Sequence, residues 1–589
     1  MNESMKGRQG MLLKKRLTLL FIFLTVVSLM GVSNLHTPTH IAHASPALPA
    51  ENNGIAKTPF MGWSTWSYIG KNPTAANIEA QAKIQAASLK AYGYNYVLMD
   101  DWYYLNPTTT VDADGYWYID ASKFPNGIAA VASYVHSLGL KFGSYVTPGI
   151  PVEAVKQNIT IKGTSYKASQ IADTSKYEIN YNYGNKAMYA INYSAPGAQA
   201  YINGWADQLA SWGIDFLKID GVGDSDIPDI QAWSTALKQS GRSIYFDLSN
   251  TLDIANANTW KTNAHAWRTQ GDVECYNSCR GQLVNWATVS SRFNSAASWA
   301  QYGGYGGFND LDAMDVADGT LDGLTNTQRQ TTMSLWAMAS APMYLGDDLS
   351  RMDSYGLSLL TNTEVVALDQ GGIPALRVGN ANNLQVWEKP NGDGSYSVGL
   401  FNLGTATASI KVNWSQLGFG GSAAVRNLWT HTNLGSFNGS YTATSVPAYG
   451  SVLLRVTPSV TTTTTTSYEA EAAALAGGAK VATCSNCSGG KDVGYIGKGG
   501  TLQFNNVNVS KAGSYVLNVS FVDGDAGRIT NISVNGGAAT PLIFTGTADV
   551  NWNKVQVLKI IVSLNAGNNT LLFSNASAYG PDIDRITVG

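Results

Sequence analysis

Two aspartates are the residues best suited to chemistry in this sequence. Asp220 ends the apolar run 216–219, and Asp272 ends a later run, with Arg268 four residues before it. Lys218 lies two residues before Asp220 and therefore on the same face if the run is a β-strand. A cation there would favour the ionised carboxylate that a nucleophile requires.

Carboxylates from two different strands suit the hydrolysis of glycosidic bonds. One attacks as nucleophile, and the other acts first as general acid and then as general base. We predict these roles for Asp220 and Asp272, respectively. Two structural interpretations compete with this one: Lys218 and Asp220 could form a structural ion pair, and Asp272 could cap a helix.

Eight short apolar runs would position these residues, and nearly all of them end in a carboxylate or another polar group. Such runs are typical of strands buried on both faces of a parallel sheet. The runs are 60–63, 96–101, 141–145, 216–220, 244–247, 266–272, 307–312 and 343–348, with helices predicted at 77–91, 128–138, 198–212, 227–240, 283–300 and 327–339. A (β/α)8 barrel builds its active site at the carboxyl ends of its strands. The sequence therefore predicts a (β/α)8 TIM barrel catalytic domain over residues 52–370.

Two further domains are predicted after the barrel. Residues 373–458 contain short segments in which apolar and polar residues alternate, which predicts a small antiparallel β-sandwich. Residues 459–467 include six consecutive threonines and predict a linker. Residues 468–589 contain short, regularly spaced strands with Gly and Asn turns, which predict a β jelly-roll module. A tethered module suits an enzyme that acts on something larger than a free disaccharide.

The composition argues against nucleic acid as a partner. The chain has 38 Lys and Arg against 41 Asp and Glu, and only 13% of its residues are charged. The sequence therefore lacks the excess of Lys and Arg that binding to a phosphate backbone requires. The 16 Trp, 30 Tyr and 60 Gly fit either a protein that binds neutral sugars or a loop-rich secreted β protein.

The N-terminal segment predicts export. A basic cluster at 14–16, an apolar run at 17–32 and a small-x-small site ending at Ala44 are typical of a signal peptide, residues 1–44. An uncleaved membrane anchor is the alternative, although the run is short for a membrane span. We therefore predict a secreted protein that has no membrane span after cleavage near Ala44.

The cysteines form two local pairs, Cys275 with Cys279 and Cys484 with Cys487. An even number of closely spaced cysteines in an exported chain favours two disulfides, and a zinc site is the alternative. The three histidines beyond the predicted signal peptide are widely scattered. A histidine-based triad or a zinc hydrolase is therefore poorly supported.

Further residues at the predicted strand ends could bind a sugar. Asp100 and Asp101 end the second run, and adjacent strand residues face opposite ways, so one should face the pocket and the other should support it. A divalent metal is the rival use of this pair, but the neighbours are aromatic rather than oxygen ligands. Trp66 and Trp63 could form an apolar wall, although Trp63 could equally pack in the core.

The motifs that carry these residues resemble those of glycoside hydrolase family 27. They follow the family's order and spacing at Thr58–Trp66, Met99–Asp101, Leu217–Gly221, Trp267–Asp272 and Asn309–Asp312. The resemblance implies a retaining, α-galactosidase-type enzyme with Asp220 as nucleophile and Asp272 as acid/base. The sugar-binding residues that we predict on this basis are Trp66, Asp100, Asp101, Tyr145, Lys218, Asn250, Arg268 and Asp312.

One segment departs from the family's pattern. After the fifth strand, the family's galactosidases show a Cys-Glu-Trp triplet that helps to recognise the sugar, whereas this sequence has Asn250 in the place of the Glu. The family also includes β-L-arabinopyranosidases and isomalto-dextranases. A substrate that lacks only the hydroxymethyl group of galactose differs from galactose by about 1–3 kcal/mol in its free energy of binding to such a pocket. We predict an α-galactosidase, with these two activities as alternatives and a catalytically silent polysaccharide-binding protein as an alternative of another class.

The C-terminal module resembles carbohydrate-binding module families 35 and 6 at residues 468–471, 494–497 and 581–586. The hard oxygen ligands Glu469, Glu471 and Asp584 would meet where the ends of the module meet and predict a structural Ca2+. Solvated surface charge is the alternative. No cofactor is predicted for catalysis.

An aromatic platform for sugar is also predicted in this module, formed by Tyr495, Trp552 and Asn575. Ordinary packing is the alternative for each of them. The predicted partners of the whole chain are therefore oligosaccharides or polysaccharides.

Overall fold

The computed structural model describes residues 55–279, 281–319, 321–461, 465–525, 527–547, 550–576 and 578–589. The predicted signal peptide, residues 1–44, lies outside the described residues. Among those described, no helix has the length and apolar character needed to cross a membrane.

Eight parallel strands form the sheet of the first domain, and each pairs with its neighbour in the sequence of barrel strands. They are β1 Met61–Ser64, β2 Tyr96–Leu98, β3 Lys141–Val146, β4 Phe216–Asp220, β5 Tyr245–Ser249, β6 Ala266–Arg268, β7 Phe308–Asp310 and β8 Met343–Leu345. β1 also pairs with β8. Beyond the end of β7, the Met314 amide donates to the Tyr344 carbonyl at 2.8 Å, so the sheet curls into a barrel. This arrangement confirms the predicted fold class.

Helices alternate with these strands. They are α1 Ala75–Ser88, α2 Ile128–Ser137, α3 Ala198–Ser211, α4 Ile227–Gln239, α5 Ala257–Asn263, α6 Trp286–Trp299, α7 Asn326–Ala339, α8 Ser354–Leu360 and α9 Thr363–Gln370. Side-chain caps start several of them; the Asn285 side chain, for example, accepts from the Thr288 amide at 2.9 Å. The six predicted helices are all present. α5, α8 and α9 were not predicted, because 7 or 8 residues give too little periodicity.

An insertion between β3 and α3 was also not predicted. Ile150–Pro151, Met188–Ile191 and Ala172–Glu178 form a three-stranded antiparallel sheet with Met188–Ile191 in the centre. Most side chains of Ala172–Glu178 are exposed or half-buried, so the segment lacks the apolar run that reveals a buried strand. The loop after it carries Tyr181 towards the barrel mouth.

Aromatic rings fill the amino-terminal end of the barrel interior. The Phe60 ring lies 4.9 Å from that of Phe216 and 5.2 Å from that of Tyr245, centroid to centroid. Two residues further along these strands, Lys218 and Asp247 point the same way. The same strand faces therefore supply an apolar floor and, above it, a polar pocket.

The second domain is an antiparallel sandwich. Its strands are β9 Leu376–Ala381, β10 Leu384–Pro390, β11 Tyr396–Asn402, β12 Ala408–Asn413, β13 Ser422–Asn427, β14 Thr432–Asn438, β15 Ser440–Val446 and β16 Ser451–Pro458. A six-stranded sheet in the order β9-β10-β11-β16-β13-β14 faces the β12-β15 pair.

The third domain consists of two antiparallel sheets. The first contains Lys480–Thr483, Lys491–Gly494, Asp582–Val588, Gly513–Val522 and Val555–Leu564, with Thr466–Glu469 paired to Asp582–Val588. The second contains Ala474–Ala476, Thr501–Val509, Gly567–Ser574, Arg528–Val534 and Thr540–Phe544. This is the β-rich module predicted for the C-terminal part of the chain.

The sandwich and the module pack against each other. Ile561 of the module belongs to the hydrophobic core of the sandwich, and the Tyr396 hydroxyl donates to its carbonyl at 3.4 Å. The Thr461 amide, at the described edge of the predicted linker, donates to the Ser514 carbonyl at 2.7 Å. The two domains therefore share an interface.

Candidate active site

Side chains at the carboxyl ends of the barrel strands surround a pocket. Its polar and aromatic lining includes Trp66, Asp100, Lys218, Asp247, Arg268, Glu274, Asp312 and Tyr344. Five of these residues were predicted to bind sugar.

Asp220 is the last residue of β4 and is half-buried at the mouth of the barrel. Its carboxylate accepts from the Gly221 amide at 2.8 Å and from the Tyr145 hydroxyl at 3.3 Å. Burial raises the pKa of Asp220, and the Lys218 charge opposes this rise. Gly221 has a φ of 76°, and a Cβ there would overlap the Ile179 side chain, so the turn beside Asp220 requires glycine.

Lys218 forms its ion pair with a different carboxylate from the one on its own strand. Its Nζ lies 2.8 Å from Asp100 Oδ2 and 5.5 Å from the centroid of the Tyr145 ring. The Lys218 charge still favours the ionised form of Asp220, but the direct partner is Asp100.

The two adjacent aspartates after β2 have different surroundings. Asp100 lines the cavity and bonds Lys218. Asp101 is 1% exposed, and its Oδ1 accepts from the Trp102 amide at 2.7 Å, whereas its Oδ2 accepts no hydrogen bond from any described residue. Burial raises the pKa of Asp101 to about 7.

Asp272 follows β6 and is held by two neighbours. Arg268 Nη1 lies 2.8 Å from its Oδ1, and the Tyr276 hydroxyl donates a short hydrogen bond to its Oδ2. Burial raises the pKa of Asp272, but Arg268, Lys218 and Tyr276 outweigh it, so the net pKa lies below the usual value. Trp66 Nε1 donates to the Tyr276 oxygen at 3.0 Å. Tyr276 thus connects the predicted aromatic wall to Asp272.

Arg268 is 2% exposed and is the centre of a buried network. It lies 3.4 Å from Asp310 Oδ2, 2.9 Å from Asp312 Oδ1 and 3.3 Å from the Tyr344 hydroxyl. Asp312 also accepts from the Val273 amide at 2.7 Å. The network therefore fixes both the guanidinium and the start of the segment that follows Asp272.

The strand end that departs from the family's pattern places Ser249 beside Asp220, as its register partner on β5. Ser249 is 1% exposed. Asn250 follows with a φ of 152°, and its side chain accepts from the Thr251 amide at 2.8 Å. Asp247, on the same strand face as Ser249, lines the cavity, and burial together with Asp310 raises its pKa well above the usual value.

Sequence reasoning missed Tyr181, Tyr276 and Glu274. The Tyr181 ring lies beside Gly221, and its partial burial and the charges of Asp220 and Asp272 raise its pKa to about 12. Glu274 accepts from the Ser67 hydroxyl at 2.7 Å, and burial raises its pKa to about 8. A sequence signal existed only for Tyr276 and Glu274, which flank Cys275 of a predicted disulfide.

Both predicted disulfides are present, between Cys275 and Cys279 and between Cys484 and Cys487. The first closes the loop that carries Tyr276. Trp63 is fully buried and donates from Nε1 to the Asp347 carbonyl at 2.7 Å. It is therefore a core residue, and Trp66 alone of the two tryptophans lines the cavity.

In the module, Asp584 accepts from the Ser488 amide at 2.8 Å. Burial raises the pKa of Asp584, and the charges of Glu469 and Glu471 add to the rise. The Oε2 atoms of both glutamates are buried and accept no hydrogen bond from a described residue. Buried carboxylate oxygens of this kind fit the hard ligand set of Ca2+.

The predicted sugar platform of the module is spread over neighbouring loops. Lys480 Nζ lies 4.4 Å from the Tyr495 ring, and Arg528 lies 4.7 Å from the Trp552 ring. Asn575 is 8% exposed, and its Nδ2 donates to the Ile529 carbonyl at 2.8 Å.

Comparison with known families matches all three domains. The profile described as "Alpha galactosidase A" matches residues 58–181 and 162–371. "Alpha galactosidase C-terminal beta sandwich domain" matches residues 381–456, and "Carbohydrate binding module (family 6)" matches residues 469–588.

Comparison with individual proteins agrees with these matches. A probable alpha-galactosidase of Dictyostelium discoideum is 33% identical over 428 residues, which cover 70% of this chain and 95% of that protein. The solved β-L-arabinopyranosidase of Geobacillus stearothermophilus is 29% identical, covers 69% of this chain and 98% of its own, and superposes with a TM-score of 0.63. The isomalto-dextranase of Arthrobacter globiformis is only 20% identical but shares the fold over 92% of this chain and 99% of its own, with a TM-score of 0.60.

Proposed function

We propose that this chain, which belongs to the alpha-galactosidase A family of glycosidases, is a secreted retaining enzyme that removes terminal α-D-galactosyl residues from oligosaccharides or polysaccharides. The observation that carries the proposal is that Asp220, at the end of β4, and Asp272, in the loop after β6, lie close enough for the Asp272 charge to act on Asp220, beside the polar pocket that Lys218 and Arg268 line. Two carboxylates on separate strands can act on opposite sides of a glycosidic bond.

In the first step, the ionised Asp220 carboxylate attacks the anomeric carbon, and the protonated form of Asp272 gives its proton to the leaving oxygen. In the second step, Asp272 takes a proton from water, which attacks the same carbon and releases Asp220. Tyr145 keeps Asp220 oriented through its hydrogen bond. Tyr276 and Arg268 favour the charged form of Asp272, and displacement of water by a bound sugar favours the neutral form.

For the sugar itself, we infer that Asp100 and Asp101 accept hydrogen bonds from its hydroxyls and that Lys218 donates one. The Asp101 carboxylate interacts with the Tyr104 hydroxyl, but its Oδ2 has no close hydrogen-bond donor among the described residues and can accept from a sugar hydroxyl. A charged acceptor of this kind contributes about 1.5–3 kcal/mol per hydrogen bond. Trp66 supplies an apolar face at the side of the cavity.

A second candidate function is β-L-arabinopyranoside hydrolysis. It is favoured by Ser249 and Asn250 at the end of β5, where the family's galactosidases carry a glutamate, and by the likeness to the Geobacillus enzyme. The two substrates differ by one hydroxymethyl group, which is worth about 1–3 kcal/mol. A single chain can therefore act on both with unequal kcat/KM.

The module extends this proposal to larger substrates. We infer that it binds carbohydrate near Tyr495 and Trp552, because aromatic rings at loops are the usual platform for sugar faces. A structural Ca2+ held by Glu469, Glu471 and Asp584 would neutralise three carboxylates at the base of the module. Export rests on residues 1–44 of the sequence.

The proposal is tested with aryl α-D-galactoside, aryl β-L-arabinopyranoside and dextran, each incubated with the purified chain. We expect the highest kcat/KM on the α-galactoside and at least a thousandfold loss in Asp220→Ala. Asp207→Ala, an exposed aspartate on α3, is the matched control and should keep full activity. Full activity in Asp220→Ala would overturn the nucleophile assignment, and a preference for the arabinopyranoside would select the second candidate.

A further inference from the structure

A second group of carboxylates lies apart from Asp220 and Asp272, in the loops that follow β7 and β8. Asp318 and Asp322 belong to the connection from β7 to α7, and Asp347 follows β8. They are 5%, 0% and 0% exposed, respectively. One oxygen from each of the three lies within 4.8 Å of the others.

The backbone holds one side of each carboxylate. Asp347 Oδ1 accepts from the Ala317 amide at 2.7 Å, and Asp318 Oδ2 accepts from the Asp348 amide at 3.0 Å. The opposite oxygens, Asp347 Oδ2 and Asp318 Oδ1, are buried and accept no hydrogen bond from an amide, hydroxyl or cationic group of the described residues; only carboxyl–carboxyl hydrogen bonds link Asp318 and Asp347 to Asp322. Fixed carboxylates with unused oxygens are a preorganised ligand set.

A fourth carboxylate, Asp315, lies next to this group. It is 1% exposed, its Oδ1 accepts from the Gly346 amide at 2.9 Å, and its Oδ2 has no partner among the described residues. Its charge acts on Asp347 and raises the pKa of that residue. The rear carboxylate site is therefore defined as Asp315, Asp318, Asp322 and Asp347.

Positive charge at this site is scarce. Arg329 Nε lies 3.0 Å from Asp322 Oδ2, and it is the one cationic side chain that forms an ion pair with the site within the described part of the chain. Arg329 also pairs with Asp353 at 2.8 Å, so its charge is shared. Four buried carboxyl groups therefore need protons or a bound cation to be neutralised.

We propose that the rear carboxylate site binds a hard divalent cation, with Ca2+ as the best match. Ca2+ takes oxygen ligands in a flexible arrangement, whereas Mg2+ keeps several waters and is rarely enclosed by protein carboxylates alone. The cation would join the loop after β7 to the loop after β8. Asp312 lies in the first loop and holds Arg268, and the Asp347 carbonyl in the second accepts from Trp63.

Shared protons are the alternative, since burial raises the pKa values of Asp318, Asp322 and Asp347 to about 8. Glu274 also acts on Asp315, Arg351 on Asp318 and Arg329 on Asp322. A cation and protons compete for the same oxygens, so binding should release protons. The two possibilities therefore differ in metal content and in proton release.

The test separates this site from the one expected in the module. Full-length Glu471→Gln/Asp584→Asn, which lacks two predicted module ligands, is equilibrated with CaCl2, desalted and analysed for bound calcium by mass spectrometry. We expect one Ca2+ per chain, a melting temperature that falls by several degrees when a chelator removes it, and proton release on re-addition. If this variant binds no Ca2+, the rear carboxylate site holds protons and the proposal is wrong, whatever any further variant does.

A second variant locates the ion. Adding Asp318→Asn/Asp347→Asn to the module variant should abolish the remaining Ca2+, whereas adding Asp369→Asn should leave it bound. Asp369 is a matched control because it is a fully buried aspartate of the barrel outside the site. Equal calcium content in the two combined variants would overturn the assignment.

Discussion

Replacing Arg268 by Met tests how the barrel holds the region around Asp272. The change keeps an unbranched, apolar side chain and removes the guanidinium from Asp310, which is 0% exposed, and from Asp312, which is 2% exposed. Removing one partner of a buried ion pair costs about 3–5 kcal/mol, because the remaining charge has lost its compensation. For a barrel of about 320 residues, an unfolding entropy of about 2.1 cal/mol/K per residue converts this to a fall in melting temperature of about 4–7 °C.

The matched control is Arg426→Met in the sandwich. Arg426 Nη2 lies 2.6 Å from Glu364 Oε1, but the two side chains are 32% and 28% exposed. Such a pair contributes only about 0–1 kcal/mol, so this variant should melt within about 2–3 °C of the unmodified protein.

The assay combines thermal unfolding followed by near-ultraviolet circular dichroism with kcat/KM on an aryl α-galactoside. Arg268→Met should lose both stability and nearly all activity, since Asp272 also loses its ion pair. If Arg268→Met melts as close to the unmodified protein as Arg426→Met does, the buried network does not carry the stability that we assign to it.

Three further predictions follow from the site. Tyr276→Phe removes a hydrogen bond that lowers the pKa of Asp272. In a plot of kcat/KM against pH, the decrease on the alkaline side should therefore move to higher pH. If this decrease stays at the same pH or moves to lower pH, the assignment of Asp272 as acid/base is contradicted. Asp101→Asn should lower kcat/KM by about 10–100-fold through the loss of a charged acceptor, without lowering the melting temperature; unchanged kinetics would exclude Asp101 from sugar binding. When a chelator keeps the rear carboxylate site free of metal, its carboxyls bind more protons in the folded protein than in the unfolded chain. The reason is that their pKa values are near 8 in the folded protein, which is higher than in the unfolded chain. The free energy of unfolding should therefore fall as pH rises from about 4 to about 8, and Ca2+ should remove most of that fall. If Ca2+ leaves this pH dependence unchanged, the site holds only protons.

Much of the barrel is predictable from the sequence, because its strands are largely buried on both faces and therefore begin in short apolar runs, such as Tyr96–Leu98 and Met343–Leu345. Asp220 and Asp272 were identifiable for the same reason, since both follow such runs. The insertion sheet was not identifiable, because the exposed strand Ala172–Glu178 has no comparable pattern.

Side-chain partners were harder to predict than strand ends. Local spacing indicated that Lys218 and Asp220 form a pair, but Lys218 reaches across β3 to Asp100 in the loop after β2, which depends on the order of strands in the barrel. Tyr276 lies in a loop with a φ of 42°, a conformation without a sequence pattern of its own. The rear carboxylate site likewise depends on two loops that meet only when β7 and β8 are neighbours in the barrel.

The central claim is that Asp220 forms a covalent bond to the sugar. The most direct measurement is to incubate the chain with an activated fluorogalactoside whose glycosyl-enzyme turns over slowly, digest it and locate the label by tandem mass spectrometry. The account predicts one sugar per chain on the Asp220 side chain. A label on Asp272 or on any other residue, or hydrolysis without any trapped sugar and with inverted configuration, would contradict it.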